Sequence, residues 1–199
     1  MTATQYRIFV GFAFVAEILS VPLSFALPVE LSFENGLIEN AQIVVLIVGA
    51  LWILKVRSPL KWFQRFFAAG LLLIVFRELS WGRVFFPVSM EPLGPVFIDM
   101  AHFKYGTEVH VAMVAYVAAM IFILIRFVPV KKILHSPQPS AAFAVMIVAF
   151  IFSSFGDRGL LLGKLHVQIV EELNELIFYS TSPVAALYYC KAGTEKFLR

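Results

Sequence analysis

Apolar residues gather in six runs along the chain, over 6–26, 36–54, 62–81, 109–127, 141–155 and 166–190. A helix needs about 20 apolar residues to cross roughly 30 Å of hydrocarbon, so the pattern predicts six transmembrane helices in one all-α bundle. Polar positions inside these runs form stripes. Glu17, Ser20 and Ser24 fall at i, i+3 and i+7, on one face of the first helix. Asn35, Glu39, Gln42 and Gly49 mark a second inward stripe, with Asn35 expected as the N-cap. Both stripes predict faces turned away from lipid.

The connections are equally patterned. Residues 27–39 hold Glu30, Glu34 and Glu39 without a Lys or Arg, whereas 55–65 holds Lys55, Arg57, Lys61 and Arg65 without an acid. Between Gly82 and Glu108, Pro87, Pro92, Gly94 and Pro95 interrupt an apolar stretch, which rules out a regular helix and suggests a lid over 84–106. Ser136-Pro137-Gln138-Pro139-Ser140 breaks the chain again, Gly156-Asp157-Arg158-Gly159 ends the fifth run, and Pro183 predicts a kink in the sixth. The first run ends in Ser24-Phe25-Ala26, like a cleavable leader. Its length and the Glu17 at its centre favour a retained helix instead.

Composition agrees with the pattern. Sixty per cent hydrophobic residues, 15% charged and a mean hydropathy of +0.86 lie outside the soluble range. Six spans leave no room for a separate soluble domain, so 1–199 reads as one transmembrane domain. The single Cys190 excludes an intramolecular disulfide and any CxxC site. Eleven of the sixteen Lys and Arg lie in the N-terminal, 55–65, 126–132 and C-terminal segments, together with only Glu195 of the thirteen acids. This asymmetry accounts for the net charge of +3 as membrane topology rather than nucleic-acid binding, and predicts both termini in the cytoplasm of a bacterial inner membrane.

Ionisable groups at membrane depth carry the candidate chemistry, because each costs about 2.5–3.5 kcal/mol on insertion scales and persists by facing a partner, a cavity or water. At 1.5 Å per residue, Glu17 and Glu175 both lie about 14 Å below the outer surface, with Glu171 and Glu172 about 8 Å down. Arg77, Glu78, Gln42, His110 and Arg158 fall nearer the mouth. The expectation is an outward-opening, carboxylate-rich pocket built from Glu17, Glu39, Gln42, Arg77, Glu78, Ser80, Glu171, Glu172, Asn174 and Glu175. Such carboxylates cannot all remain ionised side by side, which suggests binding and transport linked to a proton or cation. A second reading is a metal-dependent intramembrane hydrolase of a lipid or lipid-linked substrate, with zinc held by His110, His166, Glu171 and Glu175. A third is a membrane scaffold or assembly subunit, whose charges pair helices within a homo-oligomer or with a membrane-protein partner. Trp81 is expected at the interface with Arg77 on its ring.

Arg77-Glu78-Leu79-Ser80-Trp81-Gly82-Arg83 resembles the E-E-I/L-S-W-G-Q segment of a group of uncharacterised bacterial integral membrane proteins. Glu34-Asn35-Gly36-Leu37-Ile38-Glu39 and Glu171-Glu172-Leu173-Asn174-Glu175 are similar to that group's acidic helix starts. The resemblance covers roughly 34–83 and 166–180 and implies a shared fold and site. Arg77 replaces its first Glu and Arg83 its Gln, which alters the charge of any carboxylate-based site.

Overall fold

A computed structural model describes residues 2–91, 94–157 and 164–197; Pro92, Arg158, Gly159 and Arg199 lie outside them. The described chain is all-α with one small sheet. Six long helices occupy the six apolar runs: α1 (Ala3–Ala26), α2 (Leu37–Lys55), α3 (Lys61–Glu78), α4 (Gly106–Phe127), α6 (Ser140–Asp157) and α7 (Lys164–Phe197), with the short α5 (Val130–Leu134) between α4 and α6. A two-stranded antiparallel hairpin, β1 (Pro87–Glu91) and β2 (Gly94–Phe97), interrupts the expected lid.

Ala3–Ala26, Val29–Lys55 and Gly106–Phe127 are long and apolar enough to cross a membrane, and Ser140–Ser154 is a shorter apolar helix. Charge sets α3 and α7 apart. Lys61, Arg65, Arg77 and Glu78 lie within the 18 residues of α3, and Glu171, Glu172 and Glu175 in the first half of α7. Exposed Phe12, Leu51, Ile125 and Phe150 give α1, α2, α4 and α6 apolar outer faces, the arrangement expected where hydrocarbon is the solvent.

The axis of the structure is α7, whose 34 residues span roughly 50 Å. It packs against α6, α2 and α1, and more lightly against α3; α3 packs on α2, while α4 touches α3. Two apolar cores result. One joins α2, α3 and α7 through Leu46, Ile53, Leu71, Tyr179 and Leu187; the other joins α1, α6 and α7 through Val10, Ala13, Ala149, Ile177 and Ala185. Gly49 permits the close approach of α2 to α7, since a Cβ there would stand 2.5 Å from Pro183 Cγ. Pro183 thus fills a seam while remaining inside a continuous helix.

Two local expectations are corrected. Gly36, not Asn35, caps α2; Asn35 takes a left-handed backbone (φ 61°) and its N–H donates to Glu39 Oε2, so the acid reaches back to the helix start. Helix α3 stops at Glu78 rather than Trp81, because Ser80, Trp81 and Gly82 all have positive φ and turn the chain toward the hairpin. Arg83 braces that turn by donating to Ser80 O (3.1 Å) and Ile98 O (3.3 Å). Trp81 stacks on Phe76 at 6.2 Å, and the cation expected against its ring lies elsewhere.

Candidate functional site

The end of α3 and the first half of α7 build a charged cluster around one phenol. Glu172, Glu175 and Tyr179 recur at i, i+3 and i+7 and therefore share a face of α7. Arg77 donates from Nη1 to Tyr179 Oη (2.9 Å) and from Nη2 to Glu175 Oε1 (3.3 Å), with Glu78 Oε1 3.5 Å from Nη1. The Tyr179 hydroxyl has one proton to donate and two carboxylates in reach, Glu78 Oε1 at 2.8 Å and Glu175 Oε2 at 3.3 Å. Ser153 on α6 adds a weak contact to Glu175 at 3.5 Å.

The cluster continues onto α2. Gln42 spends both amide hydrogens on Glu172, at its carbonyl (2.9 Å) and at Oε2 (2.8 Å). Glu39, one turn earlier, is buried, and the carboxyl groups of Glu39, Glu78, Glu172 and Glu175 stand within electrostatic reach of one another. Arg77 forms ion pairs with both Glu78 and Glu175. Its side chain is 60% exposed, whereas that of Glu78 is 7% exposed. The guanidinium lies at the rim and the carboxylates of Glu78 and Glu175 lie behind it.

A cleft of about 370 Å³ opens beside Arg77, between α3 and α6 over the face of α7. Glu171, Glu175, Ser153 and Tyr179 supply its polar lining, and Ile74, Phe150 and Phe178 its apolar walls. A second hollow, of about 650 Å³, lies at the opposite end of α2 and α3 under the basic 54–65 loop. There Gln64 holds the loop by donating to Ile53 O (2.8 Å) and Val56 O (2.7 Å), a structural duty.

Several expected members stand apart. Glu17 is buried on α1, but neither carboxylate oxygen has a hydrogen-bond partner, and it does not join Glu175. Asn174 turns toward α1 and donates to Ser20 Oγ (3.2 Å). Ser80 donates to Glu34 in the loop before α2 rather than to the carboxylates of α7. The metal ligands do not converge either. His110 Nδ1 pairs with Gly106 O of its own helix (2.7 Å), on α4 beside α3, whereas His166 Nδ1 pairs with Ser24 O of α1 (2.9 Å) on the other side of α7. Among the described residues no group of three or more His, Cys, Asp or Glu is placed to hold a metal ion.

Tyr179 is the member that the sequence pattern overlooks. It lies in an apolar run and reads as packing, yet its spacing of i+4 from Glu175 is the signal that it shares the carboxylate face. The structure therefore defines a helical protein with membrane-length spans and a partly open acidic cluster. No protein-family model, curated protein or solved structure matches the chain.

Proposed function

We propose that this is a multi-pass protein of a bacterial inner membrane, with six spans and cytoplasmic termini, that binds a proton or small cation at the acidic cluster and couples this to transport. The observation carrying the reading is the charge imbalance around Tyr179: Glu39, Glu78, Glu172 and Glu175 share one region, and Arg77 forms its ion pairs from the rim. A concentration of carboxyl groups in a desolvated place is stable when protons or a cation offset part of its charge. The single Tyr179 proton, within reach of two carboxylates, provides a path for exchange between them. Arg77 holds Glu175 and guards the cleft through which an ion would arrive. The basic 55–65 and 126–132 segments support the orientation, with the cluster facing outward.

Purified protein in proteoliposomes, carrying an internal pH-sensitive dye or a sodium or potassium indicator, tests this directly. An imposed gradient of the transported ion should collapse faster than in protein-free vesicles. Glu175→Gln should slow that flux at least tenfold without changing the melting profile. Wild-type vesicles as tight as empty ones to all three ions, or full flux through Glu175→Gln, would overturn the assignment.

A further inference from the structure

The hollow of about 650 Å³ at the far end of α2 and α3 is walled by cations. Lys55 ends α2 and Arg57 follows in the connection, while Lys61 and Arg65 come from the first two turns of α3. The α3 pair is spaced i, i+4 and so shares one face of its helix. Leu54, Ser58 and Gln64 also line the hollow, and among the described residues no acid does.

These charges are not spent on holding the chain together. All four cationic residues are exposed, and among the described residues none of them forms an ion pair. Neutral groups brace the loop instead. Gln64 donates to Ile53 O (2.8 Å) and Val56 O (2.7 Å), and the Leu60 N–H donates to Ser58 Oγ (3.1 Å). Arg65 lies over the Trp62 ring at 4.8 Å, a contact that positions the guanidinium without neutralising it. Four like charges held around one hollow repel one another, and an anion seated among them would offset that cost.

The hollow also has an apolar exit. Leu54, part of its lining, begins a stripe on α2 in which Leu54, Leu51, Ile47 and Val44 recur at helical spacing and are all exposed. At 1.5 Å per residue the stripe runs ~15 Å along the helix. Exposed Trp62 stacks on Phe127 at 4.3 Å beside the cations. Indole rings next to basic side chains mark the level at which headgroups meet hydrocarbon.

A free phosphate would engage the cations and leave the stripe bare, whereas a phospholipid uses both. We infer that the hollow binds an anionic phospholipid, with its phosphate held by Lys55, Arg57, Lys61 and Arg65 and an acyl chain laid along the Leu54–Val44 stripe. The site lies at the opposite end of α2 and α3 from the acidic cluster, and the inference stands whether or not that cluster carries an ion.

Native mass spectrometry of the full chain in neutral detergent tests it, with phosphatidylglycerol and phosphatidylcholine of identical acyl chains as probes. Wild type should retain one phosphatidylglycerol at a lipid concentration at least tenfold lower than phosphatidylcholine requires. Replacing Lys55, Arg57, Lys61 and Arg65 together by Gln should abolish that preference. Lys55→Gln with Arg57→Gln, or Lys61→Gln with Arg65→Gln, should each lose most of it, which keeps the test open if the fourfold variant does not survive purification. Lys131→Gln with Lys132→Gln removes as much charge as either pair and should leave the preference intact. Equal retention of the two lipids by wild type, a preference that survives in these variants of the hollow, or an equal loss in the Lys131 and Lys132 variant would overturn the proposal. So would displacement of phosphatidylglycerol by inorganic phosphate at the same concentration, which would assign the hollow to a free anion.

Discussion

Removing a single oxygen, with Tyr179→Phe, tests how the acidic cluster is held. The hydroxyl accepts from Arg77 at 2.9 Å and donates to Glu78 at 2.8 Å, but the two partners lose unequally. Arg77 is 60% exposed and recovers water, whereas Glu78, 7% exposed, cannot. A hydrogen bond to a charged group contributes about 1.5–3 kcal/mol, so the loss should be about 2 kcal/mol, nearly all from Glu78. For a chain of this length that lowers the thermal midpoint by about 4–8 °C. Cys190, fully buried and without a second cysteine to confuse the signal, offers the assay: a thiol-reactive fluorophore reports its exposure during heating in detergent. In a Glu78→Gln background the same Tyr179→Phe change should cost about 1 kcal/mol less, since the partner is no longer an anion. A Tyr179→Phe protein within about 0.5 kcal/mol of wild type, or a penalty unchanged by Glu78→Gln, would refute the view that this phenol satisfies a buried carboxylate.

Two further substitutions probe the scaffold. Gly49→Ala places a methyl 2.5 Å from Pro183 Cγ and 2.9 Å from its Cβ, so it should destabilise by about 1–3 kcal/mol, and Pro183→Ala should recover part of the loss in the same melting assay. Gln64→Leu removes two hydrogen bonds to the 53–56 carbonyls and should cost about 1–2 kcal/mol while leaving the flux of Glu175-competent vesicles intact; a loss of flux at unchanged stability would contradict its structural role.

Helix positions were legible because each run of apolar residues is long and its breaks are strong. Pro129, Pro137 and the 82–95 stretch all fall between long helices. The hairpin was less visible. Val88, Met90 and Val96 are only weakly alternating, and the prolines around them dominate the signal. The structure gathers Arg77, Glu78, Glu172 and Glu175 in one region, whereas spacing alone sets Arg77 and Glu78 nearer the mouth than Glu175 and groups Glu175 with Glu17. Direction around α7 was not legible in the sequence. Asn174 and Glu175 are neighbours in sequence but about 100° apart on the helix, so one faces α1 and the other α3. Glu17 shares a height with Glu175 and lies across the axis from it, a distinction that one-dimensional spacing does not contain. The histidines separate for the same reason, since α4 and α1 flank different sides of the central helix.

The central position of α7 also has a temporal meaning. Every helix it touches precedes it in the chain, so Gln42, Arg77 and Glu78 are made before Glu172, Glu175 and Tyr179, the groups they bond. Until then these side chains of α2 and α3 lack their eventual companions. The charges of the earlier helices therefore gain their companions together, from the single mast that all of them lean on.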